Sequence, residues 1–310
     1  MTAPAPRPTI PATPLRPVRR LRGLTPYRPP AQLRPIDLHL DANEGGPLDD
    51  PALDAVARVD AETIRRYPDA RGLEARLAHR HGIAPDRIVV TNGADDAIQR
   101  IALALLEPGR ALVTHTPTFS MIPHSAAVAG ASVRAVPWTS GRLPVPDLLD
   151  RIDETTGLVA LVTPANPTGT RIELDDLRAV VRATAGRGVG VLVDLAYVEF
   201  DETDPTSELL DHPHVVVTRT FSKAHGLAGL RVGYAAAPAR LAEWLRTVGG
   251  PYPVSGPALR IAEAALAAAP DELERRVTIV RDERERLTAL ARDLNLLPFA
   301  SAANFVTVRT

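Results

Sequence analysis

From about residue 50 the chain alternates between two spacings of apolar residues. Short, nearly unbroken runs of Val, Leu, Ile and Ala occur at 87–91, 111–114, 132–136, 157–163, 189–194, 214–219 and 231–236, and these predict buried strands. Between several of them the apolar positions recur with helical spacing, at 51–59, 71–82, 94–107 and 174–186. Short apolar strands alternating with helices predict an α/β fold with a mainly parallel sheet covered on both faces. Ligand sites in such folds lie outside the carboxyl ends of the strands. After residue 250 the texture changes. A Pro-rich stretch from Pro251 reads as a loop and domain boundary, and a long helix is predicted over 271–294. Its apolar stripe is Leu273, Val277, Val280, Leu287, Leu290 and Leu294. Residues 304–309 alternate like a strand, with no later segment to pair with it.

The first 35 residues carry ten of the 30 prolines and no acidic residue. They predict a disordered tail over 1–17 and an extended N-terminal arm over 18–49. The expected division is then a large domain over 50–250 and a partial small domain over 251–310. No apolar core of a secretory signal is present in the N-terminal stretch. At 310 residues, 45% hydrophobic, with a net charge of −1, the composition is that of an ordinary soluble globular protein. There is no basic excess to bind nucleic acid and no apolar run long enough to span a membrane, so a cytoplasmic location is expected. The absence of cysteine excludes disulfides, thiolate metal sites and cysteine nucleophiles. The eight histidines show no metal-ligand spacing, and the pairs His79 with His81 and His212 with His214 read as surface residues, so no metal is expected.

Composition changes the picture at one position. Of the 36 lysine and arginine residues, Lys223 is the only lysine. Arginine serves wherever a surface needs positive charge, but it stays protonated and cannot act as an amine nucleophile. Lys223 stands just past the strand at 214–219, flanked by Thr220, Ser222 and Arg231, whose hydroxyls and guanidinium suit a phosphate. Other strand ends carry further candidates, each with a plain structural alternative. The turn at Gly93, Ala94 and Asp95 either cradles a phosphate at a helix start or places Asp95 as a helix cap. Asn166, after the strand at 157–163, is an amide donor at the site mouth or part of a Pro-rich turn. Asp194 is either the partner of a cationic ring nitrogen, with Tyr197 beside it, or a helix cap. Phe119 stacks on a flat ring or belongs to the core.

The order of these features is more specific than any one of them, and together they supply what pyridoxal phosphate requires. Lys223 would condense with the aldehyde. Asp194 would keep the ring nitrogen protonated, Tyr197 and Asn166 would hydrogen-bond the phenolate oxygen, and Phe119 would stack on the ring. Ala94, Asp95, Thr220, Ser222 and Arg231 would hold the phosphate.

This order resembles the fold-type I pyridoxal-phosphate aminotransferases of class I/II, over about residues 20–309. Within them it is most similar to the histidinol-phosphate aminotransferases, through Arg22-Gly23-Leu24-Thr25-Pro26-Tyr27, Leu40-Asp41-Ala42-Asn43-Glu44, Arg66-Tyr67-Pro68-Asp69 and the stretch from Ser222 to Tyr234. The resemblance implies transfer of an amino group from histidinol phosphate to 2-oxoglutarate, with Tyr27 and Asn43 on the substrate side. It also implies a homodimer in which Tyr67 reaches the cofactor phosphate of the other subunit. The alternatives are an aromatic amino-acid aminotransferase, a threonine-phosphate decarboxylase, and an inert cofactor-binding remnant. Three positions depart from the family pattern: Leu195 replaces a usual Glu, Asp41 a common Asn, and Phe119 a usual Tyr. Family members also continue past the strand at 304–309, into a part holding the Arg that clamps the substrate carboxylate. The expectation is therefore a truncated chain that binds the cofactor but turns over poorly, with residues 296–310 mobile around an unpaired strand.

Overall fold

The computed structural model describes residues 17–26, 40–46, 54, 56, 58–139, 141–267 and 270–309. Tyr27, the tail expected over 1–17 apart from Pro17, much of the arm, and most of the helix expected at 51–59 lie outside the described residues.

Seven strands form the central sheet: β1 (Ile88–Asn92), β2 (Ala111–Thr116), β3 (Ser132–Pro137), β4 (Thr156–Val162), β5 (Gly190–Asp194), β6 (Val215–Thr220) and β7 (Val232–Ala236). Their spatial order is β1-β7-β6-β5-β4-β2-β3. The neighbours from β6 through β3 pair in parallel, while β7 runs antiparallel to both β6 and β1. All seven strands were expected, to within about two residues at each end. The near-continuous apolar runs follow from burial on both sides, because successive side chains enter opposite layers. Val159 and Leu161 of β4, with Val191 and Val193 of β5, join one core cluster. Leu158, Ala160 and Val162, with Leu192, join the other.

Helices Arg71–His81, Leu174–Thr184 and Gly256–Ala267 cover the first face through residues such as Leu77, Leu177 and Leu259. Helices Gly93–Leu105, Met121–Ala129 and Ala239–Val248 cover the second through Ile98, Ile122 and Leu245. The first face holds a correction. His81 is half-buried and hydrogen-bonds the Tyr234 hydroxyl at 2.8 Å, and burial pushes its imidazole down to about 4. His214 likewise bonds Thr184 Oγ1 and the Val181 carbonyl, each at 3.1 Å. These two histidines are not surface residues.

The long helix Pro270–Asp293 divides its apolar stripe. Leu273, Val277 and Val280 pack with Tyr197, Phe200, Ala224, Ala303 and Phe305 in a third cluster. Leu287, Leu290 and Leu294, expected on the same buried stripe, are 53%, 53% and 62% exposed. The third cluster takes only the first half of the stripe, against the segments that follow β5 and β6 and against residues 303 and 305. The strand expected over 304–309 is also corrected. Only Val308–Arg309 (β9) is extended and paired, and it pairs backwards, antiparallel to Leu297–Pro298 (β8). The Phe299 amide adds a bond to the Thr307 carbonyl at 2.8 Å. A hairpin onto the preceding residues supplies the partner that the sequence pattern had not shown.

Candidate active site

β1, β4, β5 and β6 all end at the same edge of the sheet, and β7 begins there. Parallel pairing of β4, β5 and β6, with the antiparallel pairing of β7 to β6 and β1, therefore gathers Gly93, Asn166, Asp194, Lys223 and Arg231 from across 139 positions of sequence. Phe119 follows β2 at this edge, half-buried against the second core cluster.

Asp194 is the last residue of β5 and is 2% exposed. It is not a helix cap; the short helical turn downstream begins only at Val198, with Tyr197 preceding it. In register it faces Thr218 of β6, whose hydroxyl donates to Asp194 Oδ1 at 2.8 Å. Burial pushes its carboxyl up to about 6, against the Thr218 hydrogen bond, which favours the charged form. Such a carboxylate lacks the solvation its charge needs, and a cation placed beside it would supply it.

Tyr197 is buried, and its hydroxyl accepts two amide hydrogen bonds, from Asn43 Nδ2 at 3.2 Å and from Asn166 Nδ2 at 3.3 Å. Burial pushes the phenol up to about 12. Its ring meets Phe305 edge-on with centroids 5.3 Å apart, and Lys223 Nζ stands 5.6 Å from the ring centroid.

Lys223 is half-buried, and its ammonium donates to the Ala42 carbonyl at 2.8 Å. Burial lowers its pKa from the ordinary value, which makes the free amine more accessible near neutral pH. The segment 40–46 approaches so closely that a Cβ on Gly45 would lie 2.2 Å from the Lys223 carbonyl oxygen and 2.9 Å from Gly226 Cα. No side chain fits there.

The third group is an anion cradle. Gly93 opens the helix Gly93–Leu105 with φ +73, and a Cβ on it would meet Arg231 Nη2 at 2.5 Å. A Cβ on Gly233 would meet the Ala94 amide nitrogen at 2.6 Å. Both glycines let the guanidinium and the free N–H groups of the helix start share one small space. Arg231, itself at φ 54, bonds Ser222 Oγ at 3.4 Å and Asp95 Oδ2 at 3.1 Å. Thr220 Oγ1 lies 2.9 Å from Ser222 Oγ. The alternative of Asp95 as the helix cap is corrected. The cap position is Asn92, whose side chain makes no capping bond; Asp96 Oδ2 accepts from the Asn92 amide at 2.9 Å, while Asp95 turns to Arg231.

The structure thus brings together Asn43, Ala94, Asp95, Asn166, Asp194, Tyr197, Thr220, Ser222, Lys223 and Arg231. Tyr67 is elsewhere, 82% exposed and stacked on Tyr252 with ring centroids 4.6 Å apart. Sequence reasoning missed Thr218, the Ala42 carbonyl, Asn304 and Phe305. Thr218 was within reach of it, two residues before Thr220 and so on the same side of β6. It also missed Arg219, on the opposite side, 3% exposed and bridging Glu199 at 2.8 Å and Asp204 at 2.7 Å.

Residues 36–310 match the family model for aminotransferase class I and II. The chain belongs to this family. Among curated class I and II relatives, the histidinol-phosphate aminotransferase of Geobacillus thermodenitrificans is 33% identical over 306 residues, covering 93% of this chain and 82% of the relative. The aromatic amino acid aminotransferase of Corynebacterium jeikeium is 35% identical over 289 residues, covering 89% of this chain and 77% of the relative. Among solved structures, histidinol-phosphate aminotransferase from Sinorhizobium meliloti in complex with pyridoxal-5'-phosphate superposes with a TM-score of 0.80 at 30% identity. It covers 86% of this chain and 74% of that one. The α/β fold with its seven-stranded, mostly parallel sheet is that of the fold-type I aminotransferases. Among the described residues no helix is long and apolar enough to cross a membrane, and no cluster of side chains could hold a metal ion.

Proposed function

We propose that this aminotransferase uses pyridoxal phosphate to move the amino group of histidinol phosphate to 2-oxoglutarate, giving imidazole-acetol phosphate and glutamate. The observation that carries the cofactor assignment is the buried Asp194 carboxylate, whose hydrogen-bond partners among the described residues are neutral, at the same sheet edge as the chain's single lysine. The donor set fits the group: an amine, a buried anion for a ring cation, two amides converging on a phenol, and an anion cradle. Pyridoxal phosphate, when bound, supplies an aldehyde that condenses with amines and a protonated ring that withdraws electrons from the substrate carbon.

The chain's residues would do the rest. Asp194 would hold the ring nitrogen in its protonated form by charge. Asn166 and Tyr197 would fix the phenolate oxygen, with Phe119 against the ring face. Gly93, Ala94 and Asp95 at the helix start, with Thr220, Ser222 and Arg231, would bind the phosphate. Lys223 Nζ would hold the aldehyde group and, as the free amine, would take up the proton that leaves the substrate carbon. Asn43 and Tyr27 would stand on the substrate side. Tyr67, exposed beside Tyr252, would serve the second site of a homodimer.

The choice of histidinol phosphate follows the relatives and the segments shared with them. A second reading, aromatic amino-acid transamination, is favoured by the 35% identity to the Corynebacterium jeikeium enzyme. Glutamate formation from 2-oxoglutarate, measured with histidinol phosphate and with phenylalanine or tyrosine as donors, separates the two. A higher kcat/KM for histidinol phosphate supports the first reading, and a preference for the aromatic acids replaces it. Release of carbon dioxide from a phosphorylated amino acid without any oxo-acid acceptor would displace both.

A further inference from the structure

Lys223 is held by backbone. Its ammonium is parked on the Ala42 carbonyl, and the next residue, Asn43, joins two parts of the site that are far apart in sequence. The Asn43 side chain donates to the Tyr197 hydroxyl at 3.2 Å, while its carbonyl accepts from Asn304 Nδ2 at 3.1 Å. Asn43 has φ 51, a left-handed conformation that asparagine tolerates better than most residues. That backbone sends its side chain and its carbonyl to different partners.

Asn304 carries an anomaly. Its Oδ1 is buried with no hydrogen-bond partner among the described residues. Such acceptors are uncommon in native proteins, and each calls for a reason. Here the reason lies at the other end of the same side chain, in the bond to Asn43. Phe305, the following residue, packs edge-on against Tyr197, so residues 304 and 305 grip the two sides of the same assembly. Two residues beyond Asn43, Gly45 passes in direct contact with the Lys223 backbone. The segment 40–46 is therefore fixed at one end by Lys223 and Gly226 and in its middle by Asn304.

We propose that Asn304 is a positioning residue for the reacting lysine: by holding the Asn43 carbonyl it keeps the Ala42 carbonyl over Lys223, and so sets how readily the amine is released to meet an incoming carbonyl compound. Asn304 touches no reacting atom; it works through Asn43 and Ala42. The proposal rests on Lys223 being the reacting amine. The charges that act on Lys223, from Glu44, Asp95, Asp194 and Arg231, are left in place by any change at Asn304.

The single lysine makes the test direct. The cofactor-free 310-residue chain is treated with an acetylating N-hydroxysuccinimide ester at neutral pH, and label on the peptide carrying Lys223 is followed by mass spectrometry. Asn304→Ala removes the donor. Asn304→Leu removes the donor at similar volume and adds no charge. Both variants should label Lys223 about two- to tenfold faster than the parent, the factor that the net contribution of one hydrogen bond corresponds to. Amide hydrogen exchange should rise in 40–46 and stay unchanged in β4. Unchanged labelling in both variants overturns the proposal. So does faster labelling with equal loosening of β4, because that marks general destabilisation. Borohydride fixation of pyridoxal phosphate on the parent is run alongside. Its failure would remove the functional reading, while the labelling comparison would still decide whether Asn304 governs Lys223.

Discussion

Replacing Asp194 by an asparagine should make the cofactor-free protein more stable and the cofactor-loaded protein worse. Asp194 sits at the end of β5, 2% exposed, with its carboxyl raised from 3.8 to about 6 by burial. A carboxyl whose native pKa is raised binds its proton more tightly folded than unfolded, so the folded state loses stability as pH climbs from 3.8 towards 6 and beyond. A rise of about two pH units corresponds to roughly 3 kcal/mol of lost stability at neutral pH. The amide that replaces the carboxylate has no charge to bury, and its oxygen can still accept from Thr218. Asp194→Asn should therefore raise neutral-pH stability by up to roughly 3 kcal/mol, or about 6 °C in Tm at about 2 °C per kcal/mol. The gain should shrink as pH falls through the window from about 6 to 3.8, where the native carboxyl takes up its proton. Urea or thermal unfolding of the cofactor-free parent and variant across that window measures it. In the same variant, pyridoxal phosphate should bind more weakly and turnover should fall much further, because a neutral amide cannot stabilise a ring cation. A destabilised variant at neutral pH, or a difference that does not narrow on acidification, would refute the reasoning.

Other sites give independent tests. Arg219→Met leaves Glu199, 9% exposed in its side chain, without its cation, so urea unfolding should show a loss of about 3–5 kcal/mol; a loss below about 1 kcal/mol would mean that Glu199 finds water or another partner. If Tyr67 serves the partner's site, mixing inactive Lys223→Ala chains with inactive Tyr67→Ala chains should restore part of the activity through hybrid dimers, and hybrids that form without activity would count against a shared site.

Much of the fold was legible because burial on both faces of a parallel sheet leaves a strong mark, as in the unbroken apolar run of β4. The helix Met121–Ala129 was not, since its Met-Ile-Pro-His-Ser-Ala-Ala-Val-Ala sequence has little polar face and an internal proline. The stripe of the long helix was legible as a pattern, but a pattern does not say which of its positions find a partner, and Leu287, Leu290 and Leu294 are exposed. In the site, side-chain chemistry at strand ends was readable: Asp194 and Lys223 stand where parallel pairing collects them, and Arg231 stands at the start of the antiparallel β7. What could not be read were contacts made through backbone. Ala42 and Asn43 accept from Lys223 and Asn304 through carbonyls, which every residue carries and no sequence signal distinguishes. Asn304 is separated from Asn43 by 261 residues, and only the folded chain reveals the pairing.

The central claim, that Lys223 is the amine that takes the cofactor, is tested most directly by reduction. The purified chain is saturated with pyridoxal phosphate, treated with borohydride, and digested, and the pyridoxyl group is located by mass spectrometry. With a single lysine in the sequence, the account predicts one pyridoxyl group per chain, on Lys223, and none in Lys223→Arg. Fixation only at the N-terminal amine, or none from cofactor-saturated protein, would contradict it.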